Sequence, residues 1–308
     1  MAIADMTHHH APAGLALPFL ALVAGSVGMG FSPIFVRLAD VGPMSSAFWR
    51  VALALPALYV WSRLERGPAT GGLSWRTPTL LAGLAFAFDL IFWHLSILNT
   101  TVANATLLAT MAPVWVFCLG FLLFGQRLRR PEIIGLVICV AGGALLVRES
   151  FSLDRTRFLG DAQAIAVSLF FGLTILALNE ARKRQGPALI MFQSTAVTAA
   201  CLLLAAWLSG ERMLPLDGRG WAVLIGLALI SQVGGQGLLA FALGRLPVAF
   251  SSLIVFLEAV AAAGLGWVLL GEALGPWQWA GGFLVLGGIW IARPRATGDA
   301  GGARSRVT

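Results

Sequence analysis

The stretch FGQRLRRPEIIGLVICVAGG runs from Phe124 to Gly143, and LGEALGPWQWAGGFLVLGG runs from Leu270 to Gly288. Gly125, Leu128, Gly135 and Gly142 of the first match Gly271, Leu274, Gly281 and Gly288 of the second, each 146 residues later. An offset near half the length of a 308-residue chain marks an internal duplication. A repeat of that size governs how every other feature is read.

Composition sets the solvent. Hydrophobic residues make up 58% of the chain and charged residues 11%, with a mean hydropathy of +0.85. A soluble domain carries about 25% charged residues, so this chain is expected in a lipid bilayer. A spanning helix needs roughly 20 mostly apolar residues. Runs of that kind fall at 15–38, 44–62, 77–98, 102–124, 131–148, 158–179, 187–209, 219–242, 247–270 and 276–292, which predicts ten transmembrane helices in an all-α protein. The first run is long and lacks a basic leader or a small-residue cleavage site, so it reads as a helix and not as a signal peptide. The chain divides into a tail over 1–14, a first repeat over 15–148, a second over 158–292 and a basic tail over 293–308.

The net charge of +7 does not point to nucleic acid, because the positive residues follow membrane topology. Placing the N-terminus inside puts fourteen Lys and Arg on the inner side and five on the outer. Both termini are therefore expected in the cytoplasm of a bacterial-type plasma (inner) membrane. Arg37 and Arg50 lie in or beside helices and read as snorkelling or as bracing helix ends. Cys118, Cys139 and Cys201 sit inside apolar runs, without metal-ligand or disulfide spacing. The run from Thr7 to His10 reads as a tail, not a metal site. No metal and no cofactor is expected.

Ten helices in two sets of five force the second set to enter the membrane from the opposite face. The duplication is then an inverted repeat, the architecture of transporters that bind substrate near the midplane between their halves. The two stretches that opened this reading resemble the EamA-type repeat of the drug/metabolite transporter superfamily. So do MAPVW (Met111–Trp115) and LEAVA (Leu257–Ala261), again 146 residues apart. The openings GMGFSPIFVRLADVGPMSSAFWR (Gly28–Arg50) and GDAQAIAVSLFFGLT (Gly160–Thr174) are similar to the starts of the family's two halves. The chain departs from the family at Arg37, where Lys is usual. It also departs at Ala259, where a Pro would kink the ninth helix. Within the family, FDLIFWHLSILNTTVANATLLATMAPVW (Phe88–Trp115) looks most like aromatic amino-acid exporters of the YddG type.

An ionisable side chain deep in a spanning helix usually faces a cavity or a partner. Asp89 and His94 of the third run and Glu258 of the ninth meet that description. Asp89 and His94 are five residues apart and do not share a helix face. Asp89 groups with Trp93 and Phe86, and His94 with Leu90 and Ile91. Gln232 and Gln236 stack at i,i+4 in the eighth run, among glycines that admit a close neighbour. Ser251 precedes Glu258 by two turns on one face. Asn104, Leu108, Met111, Trp115 and Cys118 form a stripe on the fourth run. Together these suggest a pocket largely free of fixed charge. Trp93, Met111, Trp115 and Phe256 would take a side chain, and His94, Gln232, Gln236 and Ser251 a polar end. The plainer roles are helix-joining glutamines, core-packing Met and Trp, and hydrogen-bonded buried carboxyls. GSVGMGFSP (Gly25–Pro33) has no strand before it, so it is no dinucleotide fingerprint; it reads as a thin, kinkable helix.

No GxxxxGK[ST] phosphate loop and no H-E-x-x-H zinc site occurs. An intramembrane enzyme is disfavoured. The expected function is export of aromatic or large neutral amino acids, with flat aromatic drugs as further cargo. A passive facilitator or channel is the alternative. The third, fourth, eighth and ninth helices are expected to line the cavity. The fifth and tenth should be peripheral, their glycine faces packed on neighbours or on a second copy in a homo-oligomer. Cysteines introduced at Thr70 and Arg129 should resist membrane-impermeant thiol reagents in intact cells, while one at Gly210 should label. The reverse labelling pattern would refute the orientation.

Overall fold

Five of the ten expected runs are interrupted, three of them where proline withholds a backbone N–H. The computed structural model describes residues 13–65, 75–100, 102–126, 128–148, 157–270 and 274–294. Among these every element is helical, with no strand. The first run is α1 (Ala13–Gly30) and α2 (Ser32–Leu38), and the second is α3 (Pro43–Ala52) and α4 (Leu55–Leu64). After α5 (Thr77–Asn99), the fourth run is α6 (Val102–Ala109) and α7 (Ala112–Phe124), followed by α8 (Arg130–Val147). Next come the unbroken α9 (Phe158–Ala181) and α10 (Pro187–Ser209). The eighth run holds α11 (Gly218–Gly226), a π-helical segment Leu227–Gln236 and α12 (Gly237–Leu243). The ninth splits into α13 (Val248–Leu253) and α14 (Phe256–Leu270), and α15 (Pro276–Ala292) closes the described chain.

Pro33, Pro56 and Pro113 each stand in the first turn of the helix after a break. Proline cannot donate to the preceding turn, so the ladder stops there and restarts. The ninth run corrects the sequence reading. Ala259 was expected to leave it straight, yet it breaks at Ile254–Val255 without proline. There Leu257 N donates to Ile254 O at 2.8 Å, and Ser26 Oγ of α1 donates to the same carbonyl at 3.2 Å. The local turn and a neighbouring hydroxyl together keep the break satisfied, as any interruption at membrane depth requires.

Seven of the described helical stretches are long and apolar enough to cross a membrane alone. They correspond to the first, third, fourth and sixth to ninth runs. The second run carries Arg50 and a break. The fifth and tenth form helices of 18 and 17 residues, and these three runs fall outside that group. Large apolar side chains lie exposed along the helices, Leu122, Val137, Trp207, Phe283 and Trp290 among them. Such a surface suits hydrocarbon, which makes this a multi-pass membrane protein.

Glycines set the closest approaches. A Cβ on Gly135 would stand 2.7 Å from Gly288 O, and one on Gly288 2.8 Å from Gly135 O. The same exchange joins Gly142 and Gly281, at 2.7 and 2.6 Å. These are four of the six matched glycines of the repeated stretch, so α8 and α15 cross antiparallel on their matched glycine faces. Cys139 Sγ donates to Val285 O at 3.6 Å midway between them, again 146 residues apart. The expectation that these helices use their glycines for packing holds, and the neighbour is the other of the two.

The pair formed by α3–α4 and α10 is likewise antiparallel and is capped at both ends. Glu211, just past α10, accepts from Met44 N at 2.9 Å and Ser45 N at 3.3 Å in the first turn of α3. Glu65, at the end of α4, accepts from Ala188 N at 3.2 Å in the first turn of α10. A carboxylate at a helix N-terminus satisfies free N–H groups and complements the helix dipole. Glu65 and Glu211 also stand 146 residues apart. The glycine-directed packing has a measurable consequence. Gly281→Val should lower thermal stability of the purified protein by ~2 kcal/mol or more through overpacking. Gly287→Ala, whose new methyl meets nothing within 4 Å, should be neutral or slightly stabilising. Equal effects in a melting assay would refute the close α8–α15 contact.

Candidate functional site

The polar centre of the molecule forms around a residue that the sequence reading set aside. Arg50, on α3, is buried rather than snorkelling. Its Nε donates to Gln232 Oε1 at 3.2 Å, and Nη1 donates to Ser32 Oγ at 3.1 Å. The guanidinium carbon lies 5.7 Å from the centre of the Phe86 ring. Asp89 stands one turn beyond Phe86 on α5 and is only 7% exposed. Glu258, in the first turn of α14, is half-buried, and its backbone carbonyl abuts Gly30, two residues before Ser32. A buried guanidinium thus joins Gln232, one of the residues expected at the polar end, with the carboxyl-bearing Asp89 and Glu258 on neighbouring helices.

Broken helices put these groups together. The interruption at Phe31 turns Ser32 inward at the start of α2. The π-helical segment carries Gln232 and Gln236, both buried. Its i→i+5 geometry replaces the α-helical spacing read from sequence, and π segments recur at functional sites. The two glutamines make separate contacts. Gln232 accepts from Arg50 and donates through Nε2 to Thr195 Oγ1 at 3.4 Å, whereas Gln236 Nε2 contacts Met29 Sδ at 3.3 Å. The glycines around them do admit a close neighbour. A Cβ on Gly25 would stand 2.9 Å from Gly235 O, and Ser231 Oγ donates to Gly28 O at 3.0 Å. GSVGMGFSP is thus both tightly packed and broken.

The other expected residues divide. His94 is buried, with Nδ1 2.7 Å from Leu90 O and Nε2 without a partner. Its ring lies edge-on to that of half-buried Trp93. Met111 occupies the turn between α6 and α7, so the fourth-run stripe is not one continuous helix face. Trp115 is half-buried, with Nε1 donating to Ser168 Oγ of α9 at 2.9 Å. Cys118 is exposed. Ser251 and Phe256 are wholly buried; Ser251 Oγ has no partner, and the Phe256 ring packs on Gly143. Those two are core positions. The side chain of Asn104 lies outside what is described, as do Thr7–His10. Sequence reasoning missed Arg50 and Ser32. The available signal was the rule that an ionisable residue within a span is functional by default, applied to Asp89 and Glu258 but not to Arg50.

A separate cleft of about 450 Å³ lies among α14, α15, α1 and α8, walled by residues such as Val27, Leu146, Val260, Trp267 and Phe283. Its lining contains no ionisable group, so it does not answer to a polar substrate. No cluster of metal-ligating side chains occurs among the described residues.

The sequence matches the EamA-like transporter family twice, over residues 16–148 and 158–293. A transporter of uncharacterised cargo from Archaeoglobus fulgidus is 26% identical over 88% of this chain and 94% of its own length. A probable amino-acid metabolite efflux pump of Salmonella typhimurium is 27% identical, covering 89% and 93%. The pseudopaline exporter CntI of Pseudomonas aeruginosa is 25% identical, covering 78% and 82%. A protein of known crystal structure superposes with a TM-score of 0.76 at 18% identity, over 90% of this chain and 95% of that one. At that identity the likeness is one of fold.

Proposed function

The chain belongs to the EamA-like transporter family, and we propose that it is a secondary active exporter of small amino-acid-like metabolites, aromatic and large neutral amino acids foremost. The observation that carries this reading is the buried polar centre drawn from both repeats. Ser32, Arg50 and Asp89 come from the first, and Gln232 and Glu258 from the second. A cluster of charge costs stability in an apolar bundle unless ligand or function repays it. The names of two relatives, a pseudopaline exporter and an amino-acid metabolite efflux pump, favour cargo that carries amino and carboxylate groups.

In this reading the molecule has ten spans in two inverted five-helix halves that alternate access to the centre. The exchanged glycine contacts of α8 and α15 support it. So do the contact between equivalent residues Cys139 and Val285 and the reciprocal caps of Glu65 and Glu211. An antiparallel pair with matched contacts is what a two-fold axis in the membrane plane generates. Both termini are cytoplasmic in an inner membrane. Trp93, Met111 and Trp115 serve the cargo's side chain.

Purified protein in liposomes tests the reading. Counterflow should rank Trp and Phe about ten-fold or more above Ala and Lys, because a large ring contributes several kcal/mol of burial. Trp115→Ala should flatten that ranking, and Trp115→Phe should keep it. An imposed proton gradient should accelerate net flux. Rates indifferent to the gradient would identify a passive facilitator, and equal rates for Phe and Lys would refute the aromatic preference.

A further inference from the structure

Arg50 lies over Phe86, one turn before Asp89 on α5, and bonds Ser32 two residues from Gly30, which abuts the Glu258 carbonyl, yet no two of the three ionisable residues form an ion pair within 4.0 Å among the described residues. Asp89 has no hydrogen-bond partner there, although it is more than nine-tenths buried. Arg50 uses Nε and Nη1 on neutral groups, Gln232 and Ser32. A guanidinium has five N–H donors in a planar fork, so Nη2 and part of Nη1 remain to be used. The neutral partners hold the fork in place without neutralising it. This is the reverse of a structural salt bridge, in which opposite charges consume each other.

A guanidinium and two carboxyl groups set apart in a low-dielectric centre offer separate anchoring points for a ligand with an acidic and an amino group. We propose that Arg50 recognises the carboxylate of the cargo, and that Asp89 and Glu258 together receive its ammonium group. The site thus selects α-amino carboxylates by their zwitterionic head. The inference rests on the amino-acid reading above and assigns its polar end. The glutamines are then positioning residues: Gln232 orients Arg50 and does not carry the ligand's charge. His94, with Nδ1 committed to Leu90 O, lies outside this head group.

The test is the affinity of the purified full-length chain for three ligands, measured by calorimetry at neutral pH. The ligands are L-phenylalanine, L-phenylalaninamide, which lacks the carboxylate, and N-acetyl-L-phenylalanine, which lacks the ammonium. The wild-type chain should bind each analogue about thirty-fold or more weakly than phenylalanine, the scale of a lost buried charge pair. Arg50→Gln should bring phenylalanine and its amide within about three-fold while the acetyl compound stays discriminated. Asp89→Asn combined with Glu258→Gln should give the opposite pattern. A variant that merely loosens the fold weakens all three ligands together and produces neither crossing. Wild-type protein that binds the amide as tightly as the amino acid overturns the inference without any variant, as does an Arg50→Gln chain that keeps the wild-type preference. Wild-type protein that binds none of the three overturns the amino-acid reading itself, a different result from binding without head-group discrimination.

Discussion

A guanidinium buried between apolar helices constrains everything around it. Arg50 is buried, and a full charge at membrane depth costs several kcal/mol unless its donors are met. The backbone of a regular helix offers no free acceptor there, so side chains meet them. The hydroxyl and amide that do so come from places where the helix is irregular. Ser32 stands directly after the break at Phe31, and Gln232 lies inside the π-helical segment. The irregularities and the buried charge are thus two sides of one arrangement.

The irregular elements are held by contacts that leave little room for adjustment. Gly25, Gly28 and Gly235 bring α1 and the π segment together at backbone distance, and Ser231 ties a hydroxyl to Gly28 O. Gly30 meets the backbone of α14 beside Glu258. A methyl group at Gly25 or Gly28 would press first on main chain, and one at Gly235 on the Met29 side chain. The glycines thus hold α1 close to the two elements that carry Gln232 and Glu258.

Much of this was legible in the sequence, and what was not has physical causes. Hydropathy gave the runs, because an apolar stretch reports its solvent directly. The offset of 146 residues identified the glycines that meet across α8 and α15, since a packing glycine is needed in each copy. Asp89, Gln232 and Glu258 were found because polar residues stand out against an apolar background. Arg50 was misread because a position near the start of a run looks like a helix end until its depth is known. Its burial follows from partners on α2 and the π-helical segment, which one sequence does not place beside it. The interruption at Ile254–Val255 was hidden for a related reason: no proline marks it. The π segment was invisible because its residues have ordinary helical propensity, and the extra residue per turn arises from packing against α1.

The antiparallel pair of α3–α4 and α10 carries the same kind of cap at both of its ends. Glu211 caps α3 at one end and Glu65 caps α10 at the other. A Cβ on Gly42 or Gly186 would stand 2.2 Å from the corresponding carboxylate oxygen, so each cap fits over a glycine that has no side chain to exclude it. Around these caps the ends differ. Near Glu211, Asp40 accepts from Leu216 N at 2.7 Å and Trp49 Nε1 donates to Met213 O at 2.6 Å. Near Glu65, Arg182 instead donates to Ala240 O and Gln185 O, at 2.9 and 2.7 Å, a cation on the free carbonyls at helix C-termini. One end is thus fastened by carboxylates on N–H groups and an indole on a carbonyl, the other by a carboxylate and a guanidinium. The duplicated backbone supplies the same cap twice, and divergence of the flanking residues makes the two closures unequal.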